Sequence, residues 1–182
     1  MSEELVVRHC SPTLAGMKTA NMFSCTYASE EEMRMHMRKL NQAFGDKGLR
    51  AIPLRYRGGK ALVYVFRPER LKEDLCDCTA CAVLKERGYP CGEPIRCLGQ
   101  LVRRVQNSSD VPHEIGLFLG YPPEDVTGFM ENRTPCHCPG PWKVYGDVEA
   151  ARKRFDRYKK CTEVYCKQWA RGRKLEQLAV KS

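Results

Sequence analysis

Apolar residues recur along this chain with two different periods, and the switch between them predicts the fold class. From Ser29 the sequence reads SEEEMRMHMRKLNQAF, with Met33, Met37, Leu40 and Phe44 at intervals of three and four. Residues at that spacing share one helix face, so the stripe predicts a core-facing helix over about 30–45. Ser29, followed three residues later by Glu32, supplies a capping box to start it. The segment LRAIPLRYRGGKALVYVFRP (49–68) instead concentrates β-branched and aromatic residues on either side of Gly58-Gly59. That pattern predicts a β-hairpin, because two glycines accept the positive φ values a tight turn demands. A shorter run, ANMFSCTY (20–27), predicts a further strand.

After Pro68 the pattern turns helical and stays so. Helices are expected near 69–75, 79–88, 93–107, 112–119 and 123–131, with a long one near 147–171. In the N-terminal RHCSPTLAGMK, Ser11 as N-cap and Pro12 at the first helical position predict a short helix over about 12–18. Strands early and helices late imply an α+β fold: a small antiparallel sheet with a β-hairpin in the N-terminal half, and a helical C-terminal half. No stretch reads as a linker, and the length suits a single domain, 1–182.

Composition narrows the class. With 42% hydrophobic and 29% charged residues the chain can bury a core, which sets it apart from disordered sequences. The opening MSEELVVRHCSP lacks the apolar stretch of a signal peptide, and no apolar run approaches the roughly 20 residues of a membrane span. A cytoplasmic protein without a membrane partner is expected. Eleven cysteines are many for that compartment, and in reducing surroundings they read as thiols or metal ligands before disulfides. The formal net charge is +9, and residues 147–182 hold eleven Lys/Arg against five Asp/Glu.

Four constellations could carry chemistry. The first is His9, Cys10 and Lys18. A cysteine just before a helix start lies in the positive end of the helix dipole, which favours the thiolate. Lys18 would then contact an anion. The competing reading makes Cys10 a small buried hydrophobe. The second is VPHEIGLFLGYPPEDVTGFM (111–130), where Asp110 would cap a helix and His113 would sit in its first turn as a neutral base or ligand. Glu114, Tyr121 and Asp125 are candidate binding residues there, although helix punctuation accounts for most of the segment. It is not a zinc helix of the H-E-x-x-H type, since the second histidine is missing.

The third is CDCTAC, with Cys76, Cys78 and Cys81, and Cys91 and Cys97 beyond. Thiolates so spaced could hold zinc or an iron–sulfur cluster, given a fourth ligand from Cys91, Cys97 or the Cys136-His137-Cys138 segment. The fourth is the C-terminal helix. Val148, Phe155, Tyr158, Thr162, Tyr165 and Trp169 form an apolar stripe, and Arg152, Lys153, Arg157, Lys160, Lys167 and Arg171 a basic side. Such a side suits a nucleic acid or an acidic partner, or is merely solvated. Cys161 and Cys166, five apart, lie roughly 140° around that helix and cannot easily grip one metal together.

The segments HCSPTLAGMK (9–18), PHEIGLFLGYPPEDVTGF (112–129), WKVYGD (142–147) and YKKCTEVYCKQWARG (158–172) resemble a family of unknown function found in anaerobic, clostridia-like bacteria, about 200 residues long. The resemblance spans nearly the whole chain but brings no activity, cofactor or catalytic residue. It falls on His9, Cys10, Lys18, His113, Glu114, Tyr121, Asp125, Cys161 and Cys166, and leaves the CDCTAC run outside. The expectation is therefore a small-ligand binding or thiol-redox protein using Cys10 with His9 and His113, its ligand an anionic small molecule. The alternatives are a structural metal protein built on the Cys76/Cys78/Cys81 cluster and an adaptor working through the basic helix. Whether the protein is an enzyme stays open.

Overall fold

A computed structural model describes residues 1–133 and 135–181. In chain order the elements are α1 (Glu3–Leu14), β1 (Ala20–Thr26), α2 (Glu30–Phe44), β2 (Arg50–Arg57), β3 (Lys60–Phe66), α3 (Pro68–Cys76), α4 (Cys78–Glu86), α5 (Pro94–Asn107), α6 (Ile115–Phe118), α7 (Pro123–Met130), α8 (Val148–Ala170) and α9 (Leu175–Leu178). The fold is α+β, as the two periodicities require: a three-stranded antiparallel sheet with its hairpin early, and helices late. Residues 1–69 and 158–182 form one compact unit, and residues 70–157 form a second.

In the first unit the strand order is β1-β3-β2, so the hairpin's second strand is central. The hairpin turns at Gly58 and Gly59, with φ of +55° and +70°. Pro53 sits on β2, an edge strand, where its missing N–H costs least. The register slips between Pro53 and Arg55, a bulge at the proline. Ala61, Val63 and Val65 of β3 share a core with Val6, Cys10 and Leu14 of α1 and with the predicted stripe Met33, Met37, Leu40 and Phe44 of α2. Leu175, Leu178 and Ala179 complete it from α9, a helix that its four residues leave without a visible period.

The first helix departs from expectation. It does not run over 12–18 from Ser11 but begins at Glu3, where Ser2 is the N-cap and its hydroxyl accepts from the Leu5 N–H at 3.4 Å. Glu3 and Glu4 in the first turn then complement the helix dipole. Pro12 falls in the last turn, where it removes only the N–H that would have reached the Arg8 carbonyl. Ser11 is buried, and its hydroxyl donates back to the Val7 carbonyl instead of capping.

Arg67, which follows β3, is 1% exposed. Its guanidinium donates to the carbonyls of Thr13 at 2.8 Å, Leu14 at 2.9 Å, Lys47 at 3.3 Å and Val180 at 2.8 Å. The first two are carbonyls at the end of α1, which have no partner within the helix. One side chain thus ties together the end of α1, the turn after α2 and the C-terminal segment.

The second unit is helical. Cys97, Leu101 and Val105 bury one stripe of α5, and α7 packs against both α4 and α6. The helix expected over 112–119 shrinks to α6. A turn precedes it, closed by the Ile115 N–H on the Pro112 carbonyl at 3.1 Å, and Gly120 ends it at φ +73°. Gly116 is needed where α6 meets α7, because a Cβ there would collide with Val126. Among the described residues no helix is long and apolar enough to cross a membrane.

Arg67→Met should lower the unfolding free energy by about 3 kcal/mol, since it removes four hydrogen bonds made by one charged donor. Arg67→Lys should lose nearly as much, because an ammonium cannot reproduce the planar fork. Urea denaturation, read as a shift in midpoint at constant slope, measures both.

Candidate functional site

The HCSPTLAGMK segment brings two of its three candidates together. Cys10 lies on the inner face of α1, wholly enclosed, and burial pushes its thiol well above the ordinary value. Lys18 is 6% exposed, and burial lowers its pKa to about 8, with the Cys10 charge acting in the opposite sense. Its ammonium stands 5.9 Å from the centre of the Tyr158 ring. His9, one residue along, is exposed and stacks on Phe23 at 5.4 Å. Cys10 lies inside a helix, not ahead of one, so the dipole that was to activate it is absent. A neutral, solvent-excluded thiol is poorly suited to nucleophilic or redox work.

In the second unit the PHEIG segment does structural work. Glu114 is 3% exposed and accepts from the Tyr89 hydroxyl at 3.0 Å and from Arg104 Nη1 at 2.9 Å, while the Arg104 guanidinium lies 4.3 Å over the Tyr89 ring. Burial, and after it the Glu114 charge, push the Tyr89 hydroxyl up. Asp125, also buried, accepts from Trp142 Nε1 at 2.7 Å and from the backbone N–H groups of Tyr145 and Gly146 at 2.7 and 2.8 Å. The two buried acids of the segment, Glu114 and Asp125, are therefore engaged in holding the fold. Asp110 caps no helix; its N–H bonds the Ser108 hydroxyl. His113 is exposed, edge-on to Phe129 at 4.8 Å. Tyr121 stacks on Trp142 and lines a cleft of about 490 Å3 with Pro122, Pro123 and Glu124.

The cysteines do not gather as metal ligands. Among the described residues no group of three or more His, Cys, Asp or Glu side chains could hold an ion. Cys81 is instead bonded to Cys91 as a disulfide, with Cα atoms 5.7 Å apart, which withdraws two of the five expected ligands. Cys97 is buried on α5, and its thiol donates to the Pro90 carbonyl at 3.0 Å. Burial raises its pKa, helped by the charges of Cys76 and Glu93, so Cys76 lies near it. Cys76 and Cys78 are exposed. Cys78 opens α4 behind the N-cap Asp77, whose carboxylate accepts from Thr79 and Ala80 at 2.9 and 3.0 Å.

Cys78-Thr79-Ala80-Cys81 is thus a C-x-x-C at a helix N-terminus, and the Asp77 cap was the sequence signal for that placement. The CHC segment is held otherwise: Cys138 is buried, its carbonyl accepts from the Val144 N–H at 3.0 Å, and the His137 N–H donates to the Val144 carbonyl at 2.8 Å. Along α8 the predicted basic residues Arg152, Lys153, Arg157, Lys160 and Lys167 are all exposed, and Lys153 pairs with Glu149 at 3.4 Å. Burial raises the Cys161 thiol to about 11.

The class defined so far is a two-unit α+β protein whose exposed thiol chemistry gathers at the start of α4. The chain belongs to the family described as "Protein of unknown function (DUF3793)", whose model matches residues 6–179. No curated protein and no solved structure matches it.

Two expectations follow. Lysine is penalised as a cation in the folded chain, so between about pH 8 and its ordinary 10.5 the unfolded chain binds more protons, and Lys18 contributes stability that grows as pH rises through that window. Between pH 7.5 and 9 the wild type should gain about 1 kcal/mol over Lys18→Met. Denaturation at both pH values reads it, and the opposing trend from the raised Cys10 thiol, which sets in as pH nears 9, is common to both proteins and cancels in the comparison. Asp125→Asn should cost about 2 kcal/mol and alter Trp142 fluorescence, because an amide N–H2 would face the indole donor.

Proposed function

We propose that this is a cytoplasmic thiol–disulfide exchange protein of clostridia-like anaerobic bacteria, with its redox centre at Cys78, Cys81 and Cys91. The observation that carries this reading is the position of Cys81. It is bonded to Cys91 and also stands third after the exposed Cys78 on the first turn of α4. Residues three apart in a helix have Cα atoms about 5 Å apart, within the disulfide range of about 4.4–6.8 Å. Cys81 therefore has two partners within reach.

Exchange between them is chemically balanced. Cys78, as thiolate, attacks Cys81 Sγ; the Cys78–Cys81 bond forms, the Cys81–Cys91 bond breaks, and Cys91 leaves with the electron pair and takes a proton from water. Cys78 meets the main requirements of an attacking thiol: solvent access and a place at the positive end of a helix. A disulfide in a reducing compartment is typically transient and redox-sensing, which agrees with a reversible role.

The test is to equilibrate the protein across a range of glutathione redox buffers, quench with acid, alkylate free thiols and map the bonds by mass spectrometry. The oxidised form should contain Cys81–Cys91, and Cys91→Ser should shift the bond to Cys78–Cys81. If Cys81 stays fully alkylatable at every potential, the reading falls.

A further inference from the structure

The loop that carries Cys91 borders, through Gly88, Tyr89 and Pro90, a basic cleft of about 720 Å3 on α5. Its walls include Gly88, Pro90, Arg96, Gly99, Gln100 and Arg103. Arg96, Gln100 and Arg103 follow at intervals of four and three, so they share one face of α5. Pro90 is the residue before Cys91, and the Cys97 thiol bonded to its carbonyl fixes the wall to the helix. Gln100 Nε2 reaches across to the Gly88 carbonyl at 2.8 Å, closing the other end of the loop. Gly88 and Gly92, with φ of +74° and +79°, bracket the loop that carries Cys91. Gly99 leaves the floor open, since a Cβ there would meet nothing within 4 Å.

The charges in the wall are cationic. Among the described residues Arg96 makes an ion pair with Glu93 alone, an exposed contact at the helix start, and pairs of that kind bind weakly. Arg103 is exposed and makes no ion pair among the described residues. Guanidinium groups at that spacing suit carboxylates or phosphates.

We infer that the cleft binds low-molecular-weight anionic disulfides and presents their sulfur to Cys91. This rests on the exchange reading above and names its co-substrate. With the protein reduced, the Cys91 thiolate attacks one sulfur of RSSR, giving a Cys91–S–S–R mixed disulfide and releasing RS⁻. The Cys81 thiolate then attacks Cys91 Sγ, forming Cys81–Cys91 and releasing the second RS⁻. The two thiol protons pass through water to the two departing thiolates, so the protein loses two electrons and RSSR gains them.

The experiment compares oxidation rates of the reduced protein by glutathione disulfide, which is anionic, and by cystamine, which is dicationic, at low and high salt. Expected at low salt is a preference for the anionic reagent of about tenfold, shrinking as salt screens it. Arg96→Gln with Arg103→Gln should abolish the preference, and Gly99→Leu should slow the anionic reagent by filling the floor. A control with the same charge change in the other unit, Lys159→Gln with Lys160→Gln, should leave the preference intact. Circular dichroism checks that each variant is folded.

Equal rates for the two reagents, or a control that loses as much as the cleft variant, would overturn the inference while leaving the exchange reading standing. If neither reagent produces Cys81–Cys91, the exchange reading itself has failed.

Discussion

The first unit depends on one buried cation. The helices around the three strands meet with few side-chain polar groups between them, and carbonyls at the end of α1 and in the flanking segments converge on one donor. Arg67 supplies it, with its guanidinium shared among Thr13, Leu14, Lys47 and Val180. A fixed fork of five N–H groups is the side chain best suited to bonding several carbonyls at once, and it stays charged at any pH the fold meets. The neighbouring Gly16, with its φ of +72°, lies so close that a Cβ there would touch the guanidinium.

The second unit solves the opposite problem by the opposite means. Donors from the loop after α7, from Tyr89 and from α5 converge on two buried carboxylates. Asp125 takes the Trp142 indole and two backbone N–H groups, and Glu114 takes Tyr89 and Arg104. Each acid is hydrogen-bonded, which is what a buried charge requires. Glu114 and Asp125 thus carry structural bonds, while the exposed thiols Cys76 and Cys78 lie at the end of α3 and the start of α4.

Much of the fold was legible because it depends on period. The α2 stripe, the Gly58-Gly59 hairpin and the helices after Pro68 fall close to where spacing places them. Failure came where a local signal had two meanings. Ser11-Pro12 reads as a helix start, yet Ser2 with Glu3 and Glu4 starts the helix earlier, and a proline is tolerated near its end. The shortening of 112–119 to α6 depends on Gly120 and on a tertiary contact at Gly116, neither of which a periodic pattern reports. Among the candidate residues, Cys10, Lys18, Glu114 and Asp125 are all buried, and burial, which sequence does not state, decides what each side chain can reach. The bond between Cys81 and Cys91 was illegible for a combinatorial reason. Eleven cysteines allow many pairings, and only the folding back of the Gly88–Gly92 loop selects this one.

In sequence the two segments of the first unit flank the second, and this has a consequence for the order in which the protein is made. Thr13, Leu14 and Lys47 are available to Arg67 almost as soon as it is synthesised, but Val180 lies 113 residues further on. At ribosomal rates that is a delay on the order of ten seconds. During it β1, β2 and β3 can pair while their core lacks Leu175, Leu178 and Ala179, and the whole of 70–157 emerges in the meantime. The cysteines of α4 and of the loop after it therefore meet their surroundings before the first unit is closed, and the C-terminal segment seals the older half of the molecule last.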